Sequence, residues 1–435
     1  MKKVLILALL LAVGVSFGAF AEVNDIKVSG SIETQMVNLD ADLGSVGTGE
    51  KGGFVVGTTK LRFDADMTED VSAVIELINE RLWGQNQLSY SSTNDGKETD
   101  GVDIHLAYVK MKDFLGMPAT ITIGRQQMKI GSGLIMRGGS ELSVLDTAGS
   151  VSSLAECFTR KNAVDGIRMQ LDFDPVAVDL FYQKWAEGSE SSRTDDTNYY
   201  GIDVQYNMSE GTNVGAYAIV KDFGGYDDFT AYSAYTYGAR TAIAVNDNID
   251  VKVEAAIQLG DDVTSTERLK ANIVDVAFNY KMLDSANTKI GLAYQRASGD
   301  KVGSLDQEAW NKFRGGFDLG IATMFTNESS NVQVFKASMS RDIREDIMLS
   351  ADYRYLMQAR ASNATSYTDG DTGASYTVVG KNRELGQSID LKLAYDYTED
   401  VEMGLAQGFF FPGQYFTSDN DQPAYATNAY VKVSF

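Results

Sequence analysis

His105 and Asp103 stand two residues apart in the stretch GVDIHLAYVKM, and His105 is the single histidine of the 435-residue chain. Residues i and i+2 of a strand share a face, so this pair could act as the base and orienting carboxylate of a Ser-His-Asp hydrolase. A histidine on a strand is more commonly a plain polar residue, and the stretch carries no nucleophile of its own. Cys157 is the single cysteine, so there is no internal disulfide framework and no Cys/His cluster for zinc or haem. The segment TDGDTG (368–373) is only a fragment of a D-x-D-x-D-G calcium loop, so neither a metal nor a cofactor is assigned. A formal charge of −22 disfavours nucleic acid as a partner.

More informative are charges of both signs that recur at strand spacing. Arg62, Asp64 and Asp66 alternate with apolar residues, as do Lys252 and Glu254, Asp352 and Arg354, and Asp390 and Lys392. Burying so many charges in a dry core would be prohibitive. A water-filled lumen removes the penalty.

The elements that carry them are strands. Val251, Val253, Ala255, Ile257 and Leu259 lie on one face, with Lys252, Glu254 and Gln258 on the other, a period of two with no helical component. Short acidic or amide turns recur within 65–77, 111–123, 170–182, 204–217, 243–256, 279–294, 340–353 and 394–406. Between them lie longer loops rich in Gly, Ser and Asp. Eight turns divide the chain into nine hairpins, which predicts an all-β transmembrane antiparallel barrel of 18 strands, with 16 as the alternative. The weakest strand signals lie around 212–222 and 332–340.

The N-terminal segment fits an exported barrel. Lys2 and Lys3, the apolar run Val4–Val15 and the Ala19-Phe20-Ala21 site read as a signal peptide over 1–21, cleaved after Ala21. Beyond Ala21 no run of about 18 apolar residues offers a spanning helix, and only helices and closed barrels satisfy their backbone groups in lipid. A single barrel over 22–435 follows, set in the outer membrane of a Gram-negative bacterium, in contact with lipid and lipopolysaccharide. Aromatic girdles are expected at the loop side (Trp83, Trp185, Tyr199, Tyr200, Phe409, Phe411) and the turn side (Phe173, Tyr206, Tyr280, Tyr397, Phe435). The last strand, NAYVKVSF, is expected to pair with the first, DIKVSGSIETQM (25–36). Its terminal Phe435 resembles the signal read by the barrel-assembly machinery.

One long loop departs from the others, which are acidic or neutral. Segment 128–162 carries Lys129, Arg137, Arg160 and Lys161 against Glu141, Asp146 and Glu156, and is moderately apolar. Long loops in compact proteins tend to be functional. This one is expected to fold inward and constrict the pore, its cations joining Arg125 and Arg168 from the adjoining strands to set selectivity. The expected lumen set is Arg62, Asp64, Arg125, Arg137, Arg160, Lys161, Arg168, Asp352, Arg354, Asp390 and Lys392.

Two stretches resemble a known family. TITIGRQQMKIGSGLI with RKNAVDGIRMQLDF, and ELGQSIDLKLAYDYTEDVEMGLAQGFFFPGQYF, are similar to the alginate-export type of outer-membrane porins. The matching positions are Gly124-Arg125-Gln126, Asp165-Gly166 with Arg168, Gly386 with Ile389-Asp390-Leu391, and Phe410-Phe411-Pro412-Gly413. Where the family usually has Arg three residues before Asp-Gly, this chain has Asn162. The resemblance implies an 18-stranded barrel and passive transport of small hydrophilic solutes or ions. The alternatives are a specific carrier of an anionic saccharide and, less favoured, an adhesin or hydrolase.

Overall fold

The computed structural model describes residues 25–41, 50–84, 101–137, 159–186, 196–224, 231–261, 268–301, 304, 306–311, 313, 316–321, 330–361, 365–368, 375–378, 382–416 and 422–435. The proposed signal peptide, Cys157 and the stretch 138–158 lie outside these residues.

Among the described residues, eighteen antiparallel strands form the wall. In chain order they are β1 Asp25–Ala41, β2 Glu50–Asp66, β3 Val71–Leu82, β4 Asp103–Met111, β5 Ala119–Gln126, β6 Val164–Asp172, β7 Val176–Ala186, β8 Thr197–Ser209 and β9 Thr212–Phe223. Then follow β10 Tyr232–Asn246, β11 Ile249–Asp261, β12 Arg268–Lys281, β13 Lys289–Ala297, β14 Val332–Arg344, β15 Ile347–Gln358, β16 Glu384–Asp396, β17 Val401–Pro412 and β18 Ala424–Ser434. Each strand pairs with its sequence neighbour, and β18 pairs with β1 from Ser31↔Ser434 to Asp40↔Tyr425. Gly30 and Phe435 complete the seam with two backbone bonds, of 2.8 and 3.0 Å. Closure leaves no strand edge exposed to lipid, where each unpaired backbone group would cost several kcal/mol.

All eight short turns fall where the sequence places them, and both weakly signalled strands, β9 and β14, are present. The turn chemistry is visible in the repeated Thr-Glu-Asp. The Thr68 hydroxyl accepts the Val71 N–H at 3.0 Å, Thr68 N bonds Val71 O at 3.1 Å, and Thr398 N bonds Val401 O at 3.2 Å. A threonine that satisfies the turn backbone with its own oxygen fixes a short reversal.

Alternation sorts the side chains. Ile26, Val28, Ile32 and Met36 of β1 are exposed on the outer face, while Glu33, Gln35, Val37 and Leu39 are buried within. The girdles form largely as expected: Trp83, Trp185, Tyr200 and Phe411 are exposed at the loop side, and Phe173, Tyr206, Tyr280, Tyr397 and Phe435 at the turn side. Tyr199 is a correction. Its parity on β8 turns it inward, where it is buried and packs edge-on against Phe313, with ring centroids 5.5 Å apart.

The lumen also differs from a uniformly polar channel. Charged inward residues dominate its turn-side and middle levels. Nearer the long loops the inward residues are apolar: Val56, Leu82, Leu269, Ile273, Val332, Val334, Leu356 and Phe410 are buried in one cluster. That cluster includes Met128, Ile130, Leu134, Ile135 and Met136 from one connection and Trp310 and Phe313 from another. Burying such side chains contributes about 1.5–3 kcal/mol each, enough to hold long connections against the inner wall.

Candidate functional site

The connection between β5 and β6 is gripped at its neck by the wall. Thr159 Oγ1 donates to Glu80 Oε2 at 2.5 Å, and Arg160 N donates to Glu80 Oε1 at 2.6 Å. The Arg160 guanidinium reaches Glu33 at 3.1 and 2.5 Å. Lys161 pairs with Asp103. Gln127 Nε2 donates to Asn162 Oδ1 at 2.5 Å, tying the outgoing chain to the returning chain.

From that neck a small hairpin, Lys129–Ile130 against Met136–Arg137, packs into the apolar cluster. Its tip reaches inward residues of the wall five strands further round: a Cβ built on Gly131 would stand 2.8 Å from Arg240 Nη1 of β10. Arg240 is itself held by Asp203 of β8 at 2.7 and 2.8 Å.

His105 does not form the pair with Asp103 that the sequence suggested. A bulge between β3 and β4 turns His105 inward, where Nδ1 donates to Glu76 Oε1 at 2.6 Å and Nε2 lies 2.7 Å from Asn162 Oδ1. Asp103 is taken by Lys161. His105 is therefore a buried bridge from wall to neck. Lys60 and Arg62 lie 3.4 and 3.8 Å from the same Glu76, and Arg62 also grips Asp64 at 2.8 and 2.7 Å.

On β6 and β7, Arg168 donates to both oxygens of Asp179 at 2.9 Å. On β15, Arg354 is fully buried and reaches Asp390 at 2.8 Å, Asp352 at 3.1 Å and Asp318 at 2.5 Å. Lys392 follows Asp390 on the inward face and is exposed.

Arg125 departs from expectation. It shares its parity on β5 with the exposed Ile123 and sits opposite Asp165, to which it is paired at 3.0 Å. The pair lies on the outer face of the wall, because β5 keeps its alternation through Gly124. Arg125 thus stands apart from the lumen set.

The sequence reading missed the part played by the connection between β13 and β14, taken there as one more acidic external loop. Its described residues 306–311, 313 and 316–321 lie against inward side chains. Asn311 exchanges bonds with Gln258, N to Oε1 at 2.9 Å and O from Nε2 at 2.8 Å, and accepts from Lys221 at 3.0 Å. Asp318 meets Arg354 and Lys336, and Ile321 N donates to Asp390 at 3.2 Å. Partial desolvation pushes the Asp318 carboxyl up, but Arg354 and Lys336 outweigh it and hold it well below the usual carboxylate range. The available signal was the mixed stretch WNKFRGGFDLGI (310–321), as apolar as the 128–137 segment.

An eighteen-stranded closed barrel with an apolar outer band, charged inner wall and inward connections defines an outer-membrane β-barrel channel. Within that class, the chain belongs to the Alginate export family, whose model matches residues 30–432. Its fold is similar to that of Pseudomonas aeruginosa OpdK crystallised with vanillate, with a TM-score of 0.59, 12% identity, and coverage of 95% of this chain and 99% of that one. It is also similar to Pseudomonas aeruginosa OccK11 (OpdR), with a TM-score of 0.58, 10% identity, and coverage of 95% and 97%. Acinetobacter baumannii OccAB4 gives a TM-score of 0.54 at 10% identity, covering 94% and 98%. At such identities the likeness is one of fold. No curated protein sequence matches this chain.

Proposed function

We propose that the barrel is a passive diffusion channel for small hydrophilic or charged solutes, constricted by the segment 128–162. The observation that carries this reading is where the described residues of that segment, 128–137 and 159–162, lie. It leaves the wall at Gln126, is clamped at Arg160 by Glu33 and Glu80, and sends its hairpin to Arg240 on a distant strand. A connection placed there narrows the lumen, and its cations set selectivity together with the lumen pairs of Arg62, Arg168 and Arg354. Opposed charges across a water-filled constriction favour polar solutes and order them by charge.

A second reading, passage of an anionic saccharide, is favoured by the Alginate export match. The two readings separate in planar bilayers. The refolded barrel is expected to give discrete ohmic openings, and the reversal potential under a salt gradient gives the sign of selectivity. Block of that current by alginate oligosaccharides at micromolar concentration would favour the saccharide reading; unaltered current would favour the general channel. A folded barrel that never conducts would overturn both.

A further inference from the structure

The described residues of 306–321 meet the inner wall at two places. At one end Asn311 is fastened to Gln258 of β11 and Lys221 of β9. At the other, residues 316–321 rest on β14, β15 and β16. Arg354 makes two different contacts there: Nε donates to the Asp318 backbone oxygen at 3.0 Å, and Nη2 donates to its carboxylate at 2.5 Å. Asp390 accepts the Ile321 N–H at 3.2 Å. The fit is close. Gly320 has φ +105, and a Cβ built on it would stand 2.3 Å from Ser388 Oγ and 3.2 Å from Arg354 Nη1, so only glycine passes without strain.

The charges in this cluster are unequally presented. Arg354 and Asp390 are 0% and 1% exposed at their side chains, whereas Asp318 is 55% exposed. Arg354 and Lys336 stand against three carboxylates, Asp318, Asp352 and Asp390. The surplus is negative, and Asp318 is the member facing open lumen.

We propose that Asp318 is a selectivity-determining side chain of the lumen, and that Arg354 is the residue that positions it. The assignment rests on the channel reading above. A solute passing the 316–321 stretch meets the exposed Asp318 carboxylate. Arg354 anchors that carboxylate: Nη1 bonds the buried Asp390 at 2.8 Å while Nε and Nη2 hold the Asp318 backbone oxygen and carboxylate, a planar donor fan that fixes direction as well as charge.

The test is the reversal potential of single variants in planar bilayers under a gradient of potassium chloride. Asp318→Asn is expected to shift the cation-to-anion permeability ratio toward anions by up to about tenfold, since one charge at about 6 Å in water favours the cation and disfavours the anion by about threefold each. Lys336→Gln is expected to shift it the other way. Arg354→Gln is expected to raise conductance as well as move the ratio, with Arg354→Lys restoring part of both. Gly320→Ala changes no charge and is expected to raise conductance by displacing the segment. An unchanged ratio in both Asp318→Asn and Lys336→Gln, in barrels that conduct, overturns the Asp318 assignment and leaves the channel reading standing. Unchanged conductance in both Gly320→Ala and Arg354→Gln overturns the positioning role. A wild-type barrel that carries no current overturns the channel reading and this assignment together.

Discussion

Arg160 turns its guanidinium onto Glu33, bonding through Nε at 3.1 Å and Nη2 at 2.5 Å across 127 residues of sequence. The pair joins the returning end of the inward connection to the first strand of the barrel. Because Arg160 is partly solvated, its share of global stability is small, below about 1 kcal/mol. Its local effect is larger, since it holds one end of the constricting segment. Arg160→Met is therefore expected to leave the melting temperature nearly unchanged while increasing open-channel current noise. A large fall in melting temperature with quiet openings would show the pair to be part of the wall's stability instead.

His105 bridges Glu76 and Asn162. Its truncation leaves a buried carboxylate and an amide short of partners, a loss of about 1–3 kcal/mol. His105→Ala should lower the temperature at which the barrel loses its heat-modifiable gel mobility, with ohmic conduction retained at low temperature. His105→Gln, which can still bond in one direction, should recover part of the loss. Equal stability of all three forms would contradict the bridge.

Removing Arg354 alone strands Asp390, a carboxylate withdrawn from water in the wall. A broken buried pair costs about 3–5 kcal/mol, whereas removing both charges together is often close to neutral. Arg354→Met should therefore be strongly destabilised in chemical unfolding from detergent micelles, and Arg354→Met with Asp390→Asn should recover most of the stability. Additive losses in the double variant would show that the two side chains do not act as a pair.

Acidification tests the Asp318 contact. Its carboxyl is held below the ordinary carboxylate value, in spite of partial desolvation, by Arg354 and then Lys336. A depressed native value means that the stabilisation is fully present above the unfolded value of about 3.9 and is lost as pH falls through the lower native one. The difference in reversal potential between wild type and Asp318→Asn should thus persist as pH falls through about 3.9, the ordinary carboxylate value. A difference half lost near that pH would mean that Arg354 and Lys336 do not hold the carboxylate.

The wall was legible in the sequence because two local rules act at every strand. Period-two alternation separates lipid-facing Val251, Val253 and Ile257 from inward Lys252, Glu254 and Gln258, and turns such as Thr68-Glu69-Asp70 close on their own side-chain oxygen. The interior was less legible because it depends on contacts between distant segments. Arg125 was read by its nearness to a basic loop, although counting outward from Ile121 and Ile123 places it on the outer face. The 306–321 segment was read by net charge, which gives no sign that Trp310 and Phe313 would join Ile273 and Val334 in an apolar cluster. Asp318 then follows from Arg354, whose burial only the folded chain displays.

Deleting residues 132–155 and recording single-channel conductance tests the central claim most directly. If the connection between β5 and β6 constricts the lumen, the shortened barrel conducts more than wild type and loses part of its charge selectivity. A folded, shortened barrel with the conductance and reversal potential of wild type would contradict the account.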